Sequence, residues 1–146
     1  PAQENRKERV QLNDLSKIVR VSDPQISPDG KSVIILVSRP NYEENRFESE
    51  FAVVDAASGA QRKIAVEQRG IGHARWSPDG SRIAFLALAG SGQNVRRHIF
   101  IIPAAGGEAR QITGNLPTSV QQFSWRPDGR EIAFSASEVP EKKTGE

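Results

Sequence analysis

The sequence predicts an all-β fold: a partial β-propeller of four-stranded antiparallel blades, two blades plus one hairpin. Three observations carry this. The turn Ser-Pro-Asp-Gly at 27–30 returns at 77–80 and, as Arg-Pro-Asp-Gly, at 126–129, so its prolines stand 50 and then 49 residues apart. Apolar runs flank every copy, and a fixed period of this length marks an architecture assembled from repeated units. No long segment carries the 3.6-residue apolar period of a helix, which argues against an α/β domain. Propellers close with roughly 4–8 blades. A chain of 146 residues holds fewer than three, and is expected to be a piece of something larger.

The turn explains its own composition. Pro28, Pro78 and Pro127 preset the first corner, and Asp29, Asp79 and Asp128 bond locally at the second. Gly30, Gly80 and Gly129 take the positive φ that returns the chain to a strand. Ser27 and Ser77 can cap the entry, whereas Arg126 cannot, leaving the third copy to Pro127 and Gly129. Three aspartates in three equivalent turns are turn formers rather than metal ligands or acids, since each side chain is used locally.

Taken in order, residues 1–20 form an N-terminal arm, polar to residue 11, with a short helical turn over 14–18 capped by Asn13. Blade 1 occupies 21–66, with strands at 21–26, 32–38, 50–55 and 61–65. Its last two strands join through a turn ending in Gly59. Blade 2 occupies 67–113, with strands at 71–76, 82–88, 98–102 and 109–113, and Gly107 matches Gly59. Residues 114–140 supply the first hairpin of blade 3, from strands at 120–125 and 131–137, and 141–146 form a tail.

The second strand of each repeat is apolar at consecutive positions: Val33 to Val37, Ile83 to Ala87, and Ile132 to Phe134. A strand with one wet face would alternate, so these are expected to be covered on both faces by stacked blades. The Pro-Asp-Gly turns and the Gly59 and Gly107 turns share one rim. Longer connections at 39–49, 66–70, 89–97 and 114–119 gather on the other, the better place for a substrate or partner.

Composition excludes several classes. Twenty basic against eighteen acidic residues leave +2, with the signs interleaved, which gives no reason to expect nucleic acid or a membrane surface as partner. No apolar run approaches the ~20 residues of a membrane span. Cysteine is absent, excluding disulfides and thiolate chemistry. No secretory leader is visible, and the start at Pro1 points to a trimmed or engineered end.

No catalytic set emerges, and neither a cofactor nor a metal is expected. His73 and His98 are the only histidines, and no Gly-x-Ser-x-Gly elbow accompanies them. Gly90-Ser91-Gly92 lacks the lysine and helix of a phosphate loop and reads as a strand connection. Trp76, Trp125 and Phe123 adjoin repeated turns and read as core. Glu43 and Glu44 remain as candidate substrate-binding residues, since adjacent carboxylates on the loop rim can grip a peptide amino terminus. Arg46 stands close enough to neutralise one of them.

The stretch Leu15-Ser16-Lys17-Ile18-Val19-Arg20-Val21-Ser22-Asp23-Pro24-Gln25-Ile26-Ser27-Pro28-Asp29-Gly30-Lys31 resembles the opening of the propeller in prolyl oligopeptidase-family serine peptidases. The acylaminoacyl- and dipeptidyl-peptidase branches are the most similar. Tyr42-Glu43-Glu44-Asn45 and the run from Phe51 to Gly59 strengthen it, and the resemblance covers about residues 12–137. It implies a non-catalytic propeller segment that gates access to a C-terminal α/β-hydrolase domain. That domain would carry the catalytic serine, aspartate and histidine and is absent from this chain. The implied partners are the remaining blades, the hydrolase domain and a peptide substrate, in a periplasmic or secreted protein. The repeats also resemble Tol-B-like propellers, so the alternatives are a protein–protein interaction propeller or one appended to another hydrolase or a lyase. Whichever holds, an open set of blades leaves apolar edges bare, and the isolated segment is expected to self-associate.

Overall fold

The structure, a computed structural model, describes residues 11–64 and 66–139. The arm before Gln11, Ala65, Pro140 and the tail at 141–146 lie outside the described residues. Among the described residues ten strands form three antiparallel sheets. Blade 1 contains β1 (Arg20–Ile26), β2 (Ser32–Asn41), β3 (Arg46–Asp55) and β4 (Gln61–Ile64), hydrogen-bonded in that order. Blade 2 contains β5 (Arg69–Trp76), β6 (Arg82–Ala89), β7 (Arg96–Pro103) and β8 (Arg110–Gln111), in the same order. β9 (Val120–Trp125) and β10 (Ile132–Ala136) make a two-stranded third sheet. All-β architecture with four-stranded antiparallel blades is therefore what the chain adopts.

Each Pro-Asp-Gly turn is held by the same few bonds. Gly30 N–H reaches Ser27 O at 2.9 Å, and Gly80 N–H reaches Ser77 O at 2.8 Å. Ser77 Oγ donates to Asp79 Oδ1 at 2.6 Å and accepts Arg82 N–H at 3.0 Å, while Asp79 also takes Ser81 N–H. The glycines hold φ of 72°, 73° and 70°. At the third turn a guanidinium replaces the serine cap. Arg126 binds Asp128 at 3.0 Å and Glu131 at 2.8 Å, while Asp128 still accepts Arg130 N–H. The third copy thus has more to hold it than its proline and glycine. Ala56 N–H to Lys31 O and Ala104 N–H to Ser81 O, both 2.9 Å, tie the third-strand turns to the same rim.

Adjacent blades join by a repeated set of contacts. Trp76 Nε1 donates to Gln25 O at 3.0 Å, and one repeat later Trp125 Nε1 donates to Arg75 O at 3.2 Å. A β-carbon on Gly80 would lie 3.6 Å from Pro28, and one on Gly129 would lie 3.5 Å from Pro78, so successive turns stack. Arg62 Nη2 donates to Ala104 O at 2.7 Å, and Arg82 Nη2 to Gly129 O at 2.9 Å. Between blades 1 and 2 lies one core of Ile34, Phe51, Ile64, Ile83, Phe85 and their neighbours. A smaller core of Ala84, Leu86, Ile99, Val120 and Phe123 joins blade 2 to the hairpin.

The structure departs from the sequence reading in four places. The helical turn is a 3-10 turn over Leu12–Lys17, and Asn13 lies inside it rather than capping it. Instead the Asp14 carboxylate reaches back to Gln11 N–H at 2.9 Å. The connection at 39–49 is mostly strand, because β2 and β3 pair from Ser32↔Asp55 out to Asn41↔Arg46. The fourth strand of blade 2 is short, with Thr113 turned inward to bond Ile99 N–H. Two-sided cover holds for β6 alone: on β2 it is partial, and Ala133 and Phe134 of β10 are exposed.

Candidate functional site

The β2–β3 hairpin projects from the rim opposite the Pro-Asp-Gly turns. It can do so because Arg46-Phe47-Glu48-Ser49-Glu50 alternates with the two-residue period of a strand and meets Ser38, Arg39 and Pro40 across the ladder. Ser38 Oγ and Ser49 Oγ lie 2.8 Å apart. One face carries an ionic ladder. Glu50 is shared by Arg39 and by Lys63, the latter at 3.0 Å. Those cations, Lys63 foremost, hold the Glu50 carboxyl below its usual range. Arg46 pairs with Glu44 and approaches Glu48 at 3.7 Å, and Asn41 Nδ2 donates to Glu48 at 2.8 Å. Arg20 lies over the exposed Phe47 ring at 5.8 Å.

Between this hairpin and the segment entering blade 2 lies a cleft of about 640 Å³. Phe47, Glu48 and Glu50 line it from one side and Glu67, Gln68 and Arg69 from the other. Gln68 Oε1 is buried there and has no hydrogen-bond partner among the described residues. Glu43 and Glu44 stand at the exposed hairpin tip, where Glu44 N–H bonds Asn41 Oδ1 at 3.1 Å and its carboxylate is engaged by Arg46. They are not among the cleft's lining residues. The carboxylates that the fold brings to the cleft are Glu48, Glu50 and Glu67, which the sequence reading passed over. The alternation from Arg46 to Glu50 was the signal that would have found the first two.

The histidines serve packing. His73 occupies a bulge of β5 at φ 55°, meets Phe123 edge-on at 5.1 Å, and has Nδ1 3.4 Å from Arg75 Nη2. Burial, with Arg75 beside it, pushes its imidazole below the usual range. Asp23 sits at the equivalent bulge of β1, at φ 49°, and binds Arg75 at 2.9 Å across the blade boundary. His98 Nδ1 lies 3.2 Å from Thr113 Oγ1, but both residues are buried and that hydroxyl also caps Ile99 N–H. A hydroxyl–imidazole pair sealed in a core has no route to a substrate. Gly90 to Asn94 form a tight 3-10 connection, with Asn94 N–H on Ser91 O. Among the described residues no three His, Cys, Asp or Glu side chains are grouped as metal ligands.

No protein-family model matches the chain. It is 30% identical over 131 residues to the uncharacterized peptidase YuxL of Bacillus subtilis, a match covering 90% of this chain and 19% of that protein. Dipeptidyl-peptidase 5 of Porphyromonas endodontalis is 25% identical over 122 residues, or 84% of this chain and 17% of the relative. In fold, the β-propeller domain of the Trilobed protease from Pyrococcus furiosus superposes with a TM-score of 0.64 at 21% identity, covering 82% of this chain and 34% of that one. The chain spans about a fifth of the length of the curated relatives it matches. Sequence and fold together show that this β-propeller segment resembles the propeller region of prolyl oligopeptidase-family peptidases.

Proposed function

We propose that the chain is the non-catalytic propeller segment of a serine peptidase, controlling which substrates reach an α/β-hydrolase domain encoded outside this sequence. The observation that carries this is the similarity to two peptidases across 90% and 84% of the chain, in a segment whose hydroxyl–imidazole pair, Thr113 with His98, is buried. A blade rim lined by paired charges filters by size and charge and leaves bond cleavage to another domain. Purified chain is expected to turn over no aminoacyl, acylaminoacyl or dipeptidyl chromogenic substrate. Turnover that survives repurification overturns the non-catalytic part. Reading the gene past the Glu146 codon tests the rest. A Gly-x-Ser-x-Gly motif some hundreds of codons on supports the reading, whereas a stop codon after the last blade, or a lyase or amidohydrolase domain, favours the Tol-B-like or appended-propeller alternative.

Within this reading Glu43 and Glu44 contact the amino terminus of a peptide substrate from the hairpin tip. In the full-length enzyme, replacing both with alanine should raise KM more than it lowers kcat, and an unchanged KM removes them from the site. A periplasmic or secreted location belongs to the same proposal and is checked by cell fractionation. So does self-association of the isolated segment, because Ile26 is 70% exposed on blade 1 and Phe134 is 45% exposed on the hairpin. Sedimentation at micromolar concentration should show oligomers, and a clean monomer rejects that part.

A further inference from the structure

We infer that the pocket between blades 1 and 2 on the Pro-Asp-Gly rim is a binding site for a guanidinium group, the side chain of an arginine presented by a polypeptide. The chain holds the same inter-blade position twice, once filled and once open. At the boundary of blade 2 with the hairpin, Arg82 fills it. Its guanidinium lies over the Trp125 ring, 5.1 Å from the centroid, and Nη2 donates to Gly129 O at 2.9 Å. One repeat earlier the place of Arg82 is taken by Ser32, which stands four positions after Pro28 as Arg82 does after Pro78. There Ser32, Trp76 and Gly80 line a pocket of about 280 Å³. The surrounding frame is unchanged. Trp76 bonds Gln25 O as Trp125 bonds the equivalent Arg75 O, and Gly80 stacks on Pro28 as Gly129 does on Pro78. The difference between the two copies is one side chain. Both blades that wall the open pocket have four strands among the described residues, so it is not a sheet edge awaiting a neighbour.

What remains in the open copy suits a planar cation. Gly80 O is the counterpart of the acceptor that Arg82 uses, and among the described residues it accepts no hydrogen bond. Asp29 and Asp79 both line the pocket. Their turn bonds fall on Oδ1, which leaves Oδ2 of each without a partner among the described residues. Arg62 is the cation on the wall, and its Nη2 is given to Ala104 O at 2.7 Å. Two carboxylates against one guanidinium leave a single negative charge, which one incoming cation balances. The face of Trp76 attracts that cation through the ring quadrupole. A guanidinium can lie flat on the indole while its fork of N–H groups reaches a carbonyl and a carboxylate together. A lysine ammonium, a compact point charge, cannot satisfy all three.

The probe is N-acetylargininamide, titrated into the full chain at sub-micromolar concentration while tryptophan fluorescence is followed, with N-acetyllysinamide at matched concentration as the control. A saturable change is expected, half-complete on the order of 1 mM. The lysine analogue should bind at least about tenfold more weakly. Ser32→Arg gives the first repeat the side chain that the second already carries. It should fill the pocket from within and weaken binding of the probe at least about tenfold. Absence of a saturable change, an equal response to the lysine analogue, or undiminished binding by folded Ser32→Arg overturns the site. Free arginine binding more tightly than the blocked probe overturns the assignment to a polypeptide. Should Ser32→Arg not fold, the two probes on the unaltered chain still decide. The site lies on the rim opposite the cleft and rests on the repeat alone, so its failure is distinct from failure of the proposed function.

Discussion

The strands β6 and β10 carry almost the same five residues, Ile-Ala-Phe-Leu-Ala at 83–87 and Ile-Ala-Phe-Ser-Ala at 132–136, and they meet opposite fates. In β6 Phe85 is 0% exposed and Leu86 3%, whereas in β10 Phe134 is 45% exposed. Their sequences do not explain the difference. Alternate residues of β6 enter two separate cores: Ile83, Phe85 and Ala87 pack toward blade 1, and Ala84 and Leu86 toward the hairpin. Among the described residues β10 packs against blade 2 on one side and pairs with β9 as its one sheet neighbour. In a stacked architecture burial is a property of neighbours, so one strand sequence can be core or surface.

The comparison can be broken most directly at its phenylalanines. Phe85→Ala should cost about 3–5 kcal/mol, since it empties a filled site between the edge-on ring of Phe51 and the stacked ring of Phe100, while Phe134→Ala should cost less than about 1 kcal/mol. Chemical denaturation measures both, and equal costs would mean that β10 is covered in solution. Next in size are the glycines. A β-carbon at Gly90, with φ 108°, would lie 2.4 Å from Asn94 O, so Gly90→Ala should cost about 2–3 kcal/mol. Gly80→Ala pays only for its left-handed backbone, about 1 kcal/mol, because Pro28 at 3.6 Å is in ordinary contact. A stabilised Gly80→Ala would show that the turn has been misassigned. Trp76→Phe removes the indole bond to Gln25 O while keeping an aromatic ring, and should cost about 1 kcal/mol. An unaltered unfolding midpoint would reduce that bond to a bystander of packing.

The smallest effect is a pH dependence. Ser77 foremost, with Ser81, holds Asp79 down to about 2. A depressed carboxylate contributes stability that is complete above its unfolded value near 3.8 and fades as pH falls toward the folded one. Asp79→Asn should therefore flatten the stability profile between about pH 4 and 2 and leave its slope near neutrality unchanged. A slope altered only above pH 5 would assign the effect to another group.

What the sequence determined by itself is local. The Pro-Asp-Gly turns, the repeat they mark and the strands on each side follow from φ preferences and side-chain bonds that reach no further than five residues. Those constraints are written into each copy. The tertiary structure decided which copies are enclosed, because enclosure depends on what stacks above and below. It also decided the candidate site. The strand alternation from Arg46 to Glu50 was present in the sequence, but its meeting with Glu67, Gln68 and Arg69 across the blade boundary was not. The same holds for Arg75 and Asp23, 52 residues apart, and for the indole that bridges each blade to the one before. Contacts between repeats come from the angle at which whole sheets pack, and no residue in one blade encodes that angle alone.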